Sequence, residues 1–200
     1  IDGFTLLGDA VSRLPEERAR EVFKVIKGCL FEVGNAHALE LNLKERRDVP
    51  PEEYMQILEM KSASIEADMH VAALFGSDDA VATNVMKKCG RVLGTLAMLR
   101  EEFIDVFEVD ELNQRVQTEA LPLPIMYALQ DAQSKVRIRS LLQKKKLSTT
   151  DANKLVEIVF DSESVTALIE NMKKLAAADL SIVSQIKDPL AKATLRNLVL

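Results

Sequence analysis

Residues 77–107 read SDDAVATNVMKKCGRVLGTLAMLREEFIDVF. Ser77-Asp78-Asp79 offers a helix N-cap, and no proline interrupts the residues after it. The stretch predicts one long helix ending near Phe107. Heptad-like apolar spacing recurs along the chain, whereas strand-like alternation is hard to find. With 7 glycines and 6 prolines in 200 residues there are few places to break a helix. The expected fold class is all-α, a bundle of antiparallel helices, the longest of about 25 to 30 residues.

Outward from that helix the same pattern continues in both directions. Phe4, Leu7 and Val11 predict a short first helix. Leu14-Pro15-Glu16-Glu17 opens the next, with Pro early and acids in the first turn. Its stripe runs through Val22, Val25, Ile26, Cys29, Leu30, Val33, His37, Glu40 and Leu41 to a stop at Asp48-Val49-Pro50-Pro51. Tyr54, Ile57, Leu58, Lys61, Ile65 and Met69 predict a third helix that ends at Gly76. Residues 108–120 are polar and irregular, and predict a loop. Leu121 to Leu129 predicts a short helix with Pro122 and Pro124 in its first turn. Val136 to Lys146 is a basic amphipathic stretch, its Lys144-Lys145-Lys146 run read as a solvated helix end. Ser148-Thr149-Thr150-Asp151 caps another helix, and Asp188-Pro189 restarts the last. No repeat period and no domain boundary is visible, so residues 1–200 are expected to form one helical domain. Its helices can enclose a solid core or an apolar pocket.

Composition excludes several classes. Apolar residues are 48% and charged residues 28%, ordinary globular values that argue against disorder. The net charge of −5 argues against nucleic acid as the main partner. No apolar run reaches the ~18 residues of a membrane span. No basic region followed by an apolar one marks a signal peptide, so a cytoplasmic location is expected. Cys29 and Cys89 form no CxxC and predict two buried thiols in a reducing compartment. The first residue is Ile1, which leads us to expect a longer natural chain. No nucleophile elbow, catalytic triad or Gly-rich phosphate loop is present.

The chemical signal lies at the end of the long helix. Glu101, Glu102 and Asp105 stand three and four residues apart, so their carboxylates lie toward one face. Such acids repel one another unless a cation sits between them, and their hard oxygens suit Mg²⁺. The other reading is a solvated acidic face. Gly90 and Gly94 each weaken a helix by about 1 kcal/mol relative to Ala, so close packing or a ligand is expected there. Lys61 interrupts an apolar stripe and either faces a pocket or snorkels at a boundary. His37-x-x-Glu40 and Glu66 with His70 lack the Glu-x-x-His order of a di-iron bundle. His37 is therefore read as a partner of Glu40.

Several segments, in order, resemble the motifs of the trans-isoprenyl diphosphate synthases, the polyprenyl synthetase family. Residues 90–105, GRVLGTLAMLREEFID, are similar to that family's second Asp-rich motif, G-x-x-L-G-x-A-F-Q-(I/L)-x-D-D-x-x-D. Lys61-Ser62-Ala63-Ser64-Ile65 is similar to its K-T-(A/G)-x-L. Ala36-His37-Ala38-Leu39-Glu40 stands where G-Q-x-x-D is expected. Gly8-Asp9-Ala10 looks like G-D-(A/Y), and Pro124-Ile125-Met126-Tyr127-Ala128-Leu129 looks like P-L-(I/L)-Y-A-L. The order holds from residue 1 to about 130, with a weaker helical match beyond.

The resemblance implies the C-terminal part of an isoprenoid-synthase fold. It implies Mg²⁺-dependent condensation of isopentenyl diphosphate with an allylic diphosphate. By the same resemblance Glu101, Glu102 and Asp105 would hold Mg²⁺. Lys61 would pair with a diphosphate oxygen, and Ser62 would donate a hydrogen bond to the same group. A homodimer, or a heterodimer with another synthase, is implied as well. The departures are specific. The first Asp-rich motif is not in this sequence. Met98 and Ala97 replace Gln and Phe, His37 and Glu40 replace Gln and Asp, and Ala120 and Pro122 replace Lys and Thr. A non-catalytic paralogue acting as a subunit or scaffold is the alternative these changes raise.

Overall fold

A computed structural model describes residues 2–44, 46 and 48–199 of the chain. Every regular element among them is an α-helix: α1 (Asp2–Val11), α2 (Glu16–Asn42), α3 (Pro51–Lys61), α4 (Ala63–Gly76), α5 (Ala80–Phe107), α6 (Val109–Thr118), α7 (Leu123–Ala128), α8 (Ala132–Leu142), α9 (Thr149–Phe160), α10 (Glu163–Val183) and α11 (Pro189–Val199). The all-α expectation holds. Among the described residues no helix is long and apolar enough to cross a membrane.

Local chemistry sets most boundaries. The Asp79 carboxylate accepts from the Val81 N–H at 2.8 Å and starts α5. Pro50 caps α3, whose first turn holds Pro51, Glu52 and Glu53. Ser148 and Asp151 exchange hydrogen bonds in a capping box at α9. Asp188 accepts from the Ala191 N–H at 2.8 Å and restarts the chain as α11.

α4 and α5 form the most extensive helix pairing. The two interior glycines of α5 make it possible. A Cβ on Gly90 would stand 2.8 Å from the Glu66 Cα and the Ile65 carbonyl oxygen. One on Gly94 would stand 2.8 Å from the Ser62 Cβ and carbonyl oxygen. Close packing is therefore the use of both glycines.

Two expectations are corrected. The third stripe is two helices, α3 and α4, with a break at Ser62. Ser62 and Ser64 turn their hydroxyls back to the Glu59 and Lys61 carbonyls, which bends a helix. The segment predicted as a loop is helix α6. Its Leu112 and Val116, four residues apart, are buried, but the polar Asn113 and Arg115 are buried as well and disguise the pattern. The Lys144–Lys146 run is exposed, as its solvated reading expects, and lies just beyond the end of α8, where Lys144 reaches forward to the Asp151 carboxylate.

The main core gathers Tyr54, Leu58, Leu99, Leu112, Ile125 and Leu155, among others, from α2, α3 and α5 to α10. A smaller cluster holds Val85, Cys89, Val183, Ile186 and Leu195. A third joins Val11 and Val22 to Leu74. Both cysteines are free, but only Cys89 is buried; Cys29 is half-buried.

Candidate functional site

The last turns of α5 carry Glu102 and Asp105 to the side of α6. There they meet Arg115, whose side chain is only 7% exposed. The guanidinium makes contacts of 3.1 Å to Glu102 Oε2 and 3.3 Å to Oε1, and it also bonds Asp105. Its Nε donates to the Ala120 carbonyl at 2.8 Å and its Nη2 to the Tyr54 hydroxyl oxygen at 3.0 Å. Tyr54 in turn donates to Glu102 at 2.9 Å. The Leu123 N–H at the start of α7 donates to Glu102 Oε2 at 2.8 Å. Four helices, α3, α5, α6 and α7, are thus tied to one carboxylate.

Burial shifts every group in this node. It pushes the Glu102 carboxyl up, against the opposing pull of Arg115, the Leu123 N–H and Tyr54. It does the same to Asp105, again opposed by Arg115. It raises the Tyr54 phenol strongly, helped by the nearby Glu102. Burial works against the charge of Arg115, but Glu102, Tyr54 and Asp105 outweigh it and the guanidinium stays charged.

Glu101 points away. It is exposed and pairs with Arg100 at 2.9 Å. The three acids therefore do not share one cation: two close on Arg115 and one faces solvent. Among the described residues no group of three His, Cys, Asp or Glu side chains could hold a metal ion. A Mg²⁺ ion needs free carboxylate oxygens and room for its waters. Both oxygens of Glu102 are already filled by donors, so this donor set fits a guanidinium and does not fit Mg²⁺.

Lys61 lies at the end of α3 and pairs with Glu40 of α2 at 2.5 Å. The same Glu40 accepts from Tyr54 at 3.4 Å and lies 3.6 Å from His37, the partner the spacing predicted. Lys61, Glu40, Lys44, Tyr54 and Arg115 line one cavity of about 320 Å³. Ser62 is placed elsewhere. It is fully buried against Gly94, with its hydroxyl bonded to the Glu59 carbonyl and in contact with Thr95.

Two further features matter. An open apolar groove of about 730 Å³ runs beside α5, lined by Ile65, Leu93, Leu96, Ala97, Met172 and Ala176, with Arg100 and Lys173 also on its walls. In the smaller core Asp179 is fully buried. Its Oδ2 accepts from the Cys89 thiol at 3.3 Å, and its Oδ1 has no hydrogen-bond partner among the described residues. Burial raises the Asp179 carboxyl, and burial with Asp179 beside it pushes the Cys89 thiol up to about 12.

Comparison with known proteins fixes the lineage. The sequence model of the polyprenyl synthetase family matches residues 1–159. The chain belongs to the polyprenyl synthetase family. Within it, a short chain isoprenyl diphosphate synthase of Methanothermobacter thermautotrophicus is 25% identical over 129 residues, which cover 62% of this chain and 40% of that protein. The fold matches geranylgeranyl pyrophosphate synthetase from Pyrococcus horikoshii with a TM-score of 0.79 at 19% identity, over 96% of this chain and 61% of that one. It also matches the Corynebacterium glutamicum geranylgeranyl pyrophosphate synthase complexed with isoprenyl diphosphate and magnesium, with a TM-score of 0.77 at 17% identity, over 93% of this chain and 56% of that one. The chain thus spans less than two thirds of the length of these relatives. Family members generally use Mg²⁺.

Tyr54, Arg115 and Glu119, the last on the wall of the same cavity and 3.7 Å from Arg115, are site residues that sequence reasoning missed. Tyr54 reads as one more core position in a stripe, and the other two fall in the segment predicted as a loop. The spacing of Leu112 and Val116 was the available signal that this segment is helical.

Proposed function

We propose that this chain forms the C-terminal part of the catalytic unit of a polyprenyl diphosphate synthase. The reaction is the condensation of isopentenyl diphosphate with an allylic diphosphate. The observation that carries this is the placing of positive charge next to grease: Ile65 of the apolar groove, on α4, stands four residues beyond Lys61 of the cavity, at the end of α3, and Arg100 lies on the groove's own wall. An apolar chain with an anionic head fits that arrangement, and family membership gives the chemistry.

In this reading the allylic C–O bond ionises and pyrophosphate departs. The isopentenyl double bond attacks the carbocation, and a proton is then lost. Lys61 meets the diphosphate as a point charge, exchanging its bond to Glu40 for one to a phosphate oxygen. Ser62 acts beneath the site by setting the crossing of α4 on α5. Glu101, Glu102 and Asp105 are not assigned to Mg²⁺, because Arg115 holds the last two. The apolar stripe Phe23, Leu30 and Leu41, exposed on α2, supports pairing with a second synthase chain, a copy of this one or another. Free Cys29 and Cys89 fit the reducing cytoplasm.

Calorimetric titration of an allylic diphosphate with Mg²⁺ tests the reading, with Lys61→Met as the control. Binding by the wild type that weakens about tenfold or more in the variant is expected. A folded wild-type protein that does not bind the allylic diphosphate would overturn it in favour of a non-catalytic scaffold.

A further inference from the structure

The end of α5 carries the family's acidic step, yet the space between its carboxylates holds a side chain of the protein itself. We infer that Arg115 is a built-in cation that takes the place of a divalent metal at this step and converts it into a structural clamp. Geometry alone carries this, whether or not the chain binds diphosphates.

A guanidinium offers five N–H donors in a planar fork. Here its three nitrogens reach Ala120, Asp105, Tyr54 and both oxygens of Glu102. The fork is used on every side, so Arg115 has no unmet donor that would pull it out of the node. Glu102 is equally full, since Tyr54 and the Leu123 N–H take what Arg115 leaves.

Mg²⁺ gives up its waters reluctantly and demands near-octahedral oxygen ligands. To bind Glu102 and Asp105 it would have to expel Arg115, whose side chain is only 7% exposed, and leave its charge buried without a counter-ion. Arg115 cannot avoid that penalty by losing a proton, because a guanidinium stays charged at any ordinary pH. Glu101 cannot rescue the metal, because it lies at the surface beside Arg100.

The clamp also joins four helices. Tyr54 comes from α3, Glu102 and Asp105 from α5, Arg115 from α6 and Leu123 from α7. The same carboxylate therefore fixes the floor of the cavity that Lys61 lines. Positive charge for an anionic ligand is then supplied by Lys61 and Lys44 on the cavity wall, and the acids below serve to hold the wall in place.

Paramagnetic broadening by Mn²⁺ tests this directly. Mn²⁺ is a hard divalent ion that stands in for Mg²⁺. In the ¹⁵N-labelled chain at about 1 mM free Mn²⁺, amides of residues 101–105 and 115 are expected to broaden no more than exposed acidic surface elsewhere. Asp105→Asn is expected to leave the whole pattern unchanged. Selective broadening centred on residues 102–105 that Asp105→Asn abolishes would show a metal at this step and overturn the inference. The wild-type arm decides alone, so the outcome does not depend on whether an Arg115 variant folds.

Discussion

Glu102 and Asp179 are both carboxylates withdrawn from water, and the chain treats them in opposite ways. Glu102 receives a guanidinium, a phenol and a backbone N–H. Asp179 receives one thiol, and one of its oxygens has no partner among the described residues. A buried charge survives in a fold when donors fill its lone pairs, and otherwise it tends to take up a proton. The first acid is thus a fixed part of the frame around the cavity. The second is a weak point in a small core away from it.

The largest effect separating the two should come from Arg115→Met. It leaves Glu102 buried with its main counter-ion gone, and the expected loss is about 3 to 5 kcal/mol of unfolding free energy by urea titration. A loss below about 1 kcal/mol, on the scale of an exposed pair, would break the contrast. Gly94→Ala asks how much the α4–α5 join owes to packing instead of charge. The added methyl meets backbone at Ser62, so a loss of about 1 to 3 kcal/mol is expected.

Asp179→Asn should have the opposite sign from Arg115→Met. The folded-state pKa of Asp179 is raised, so the native protein binds more protons than the unfolded one across that interval. Wild-type stability therefore falls as pH rises from the ordinary carboxylate value through the raised one. The variant lacks that fall. It should be the more stable protein at pH 8 by about 1 kcal/mol, with the advantage shrinking toward pH 4. An advantage that grows on acidification would contradict the account. The smallest change is Ser148→Ala at the head of α9, a loss of about 1 kcal/mol measured by urea titration. There Lys144 and Ser148 hold the Asp151 carboxyl down at about 2, so this cap keeps its stabilisation above the ordinary value and loses it only in strong acid.

The same contrast separates the legible parts of the sequence from the hidden ones. α5 was legible because its cap, its length and its freedom from proline agree. The pairing of His37 with Glu40 followed from spacing along one helix. The break at Ser62 was hidden, since hydrogen bonds of helical spacing flank it on both sides and keep the apolar stripe in phase. α6 was hidden by its own function: two of its inward residues, Asn113 and Arg115, are polar because each has buried partners to meet. Spacing rightly put Glu102 and Asp105 on one face. It could not show what lay opposite them, because the partner sat in a segment that looked like a loop. The two interior glycines, by contrast, signal close packing from their cost to the helix alone.

A double-mutant cycle on Glu102→Gln and Arg115→Met, read by urea unfolding, tests the central claim that these two residues form one structural unit. A coupling of about 2 kcal/mol or more is expected, with the double variant no less stable than Arg115→Met alone. Two losses that simply add would show that the charges act independently, and would contradict it.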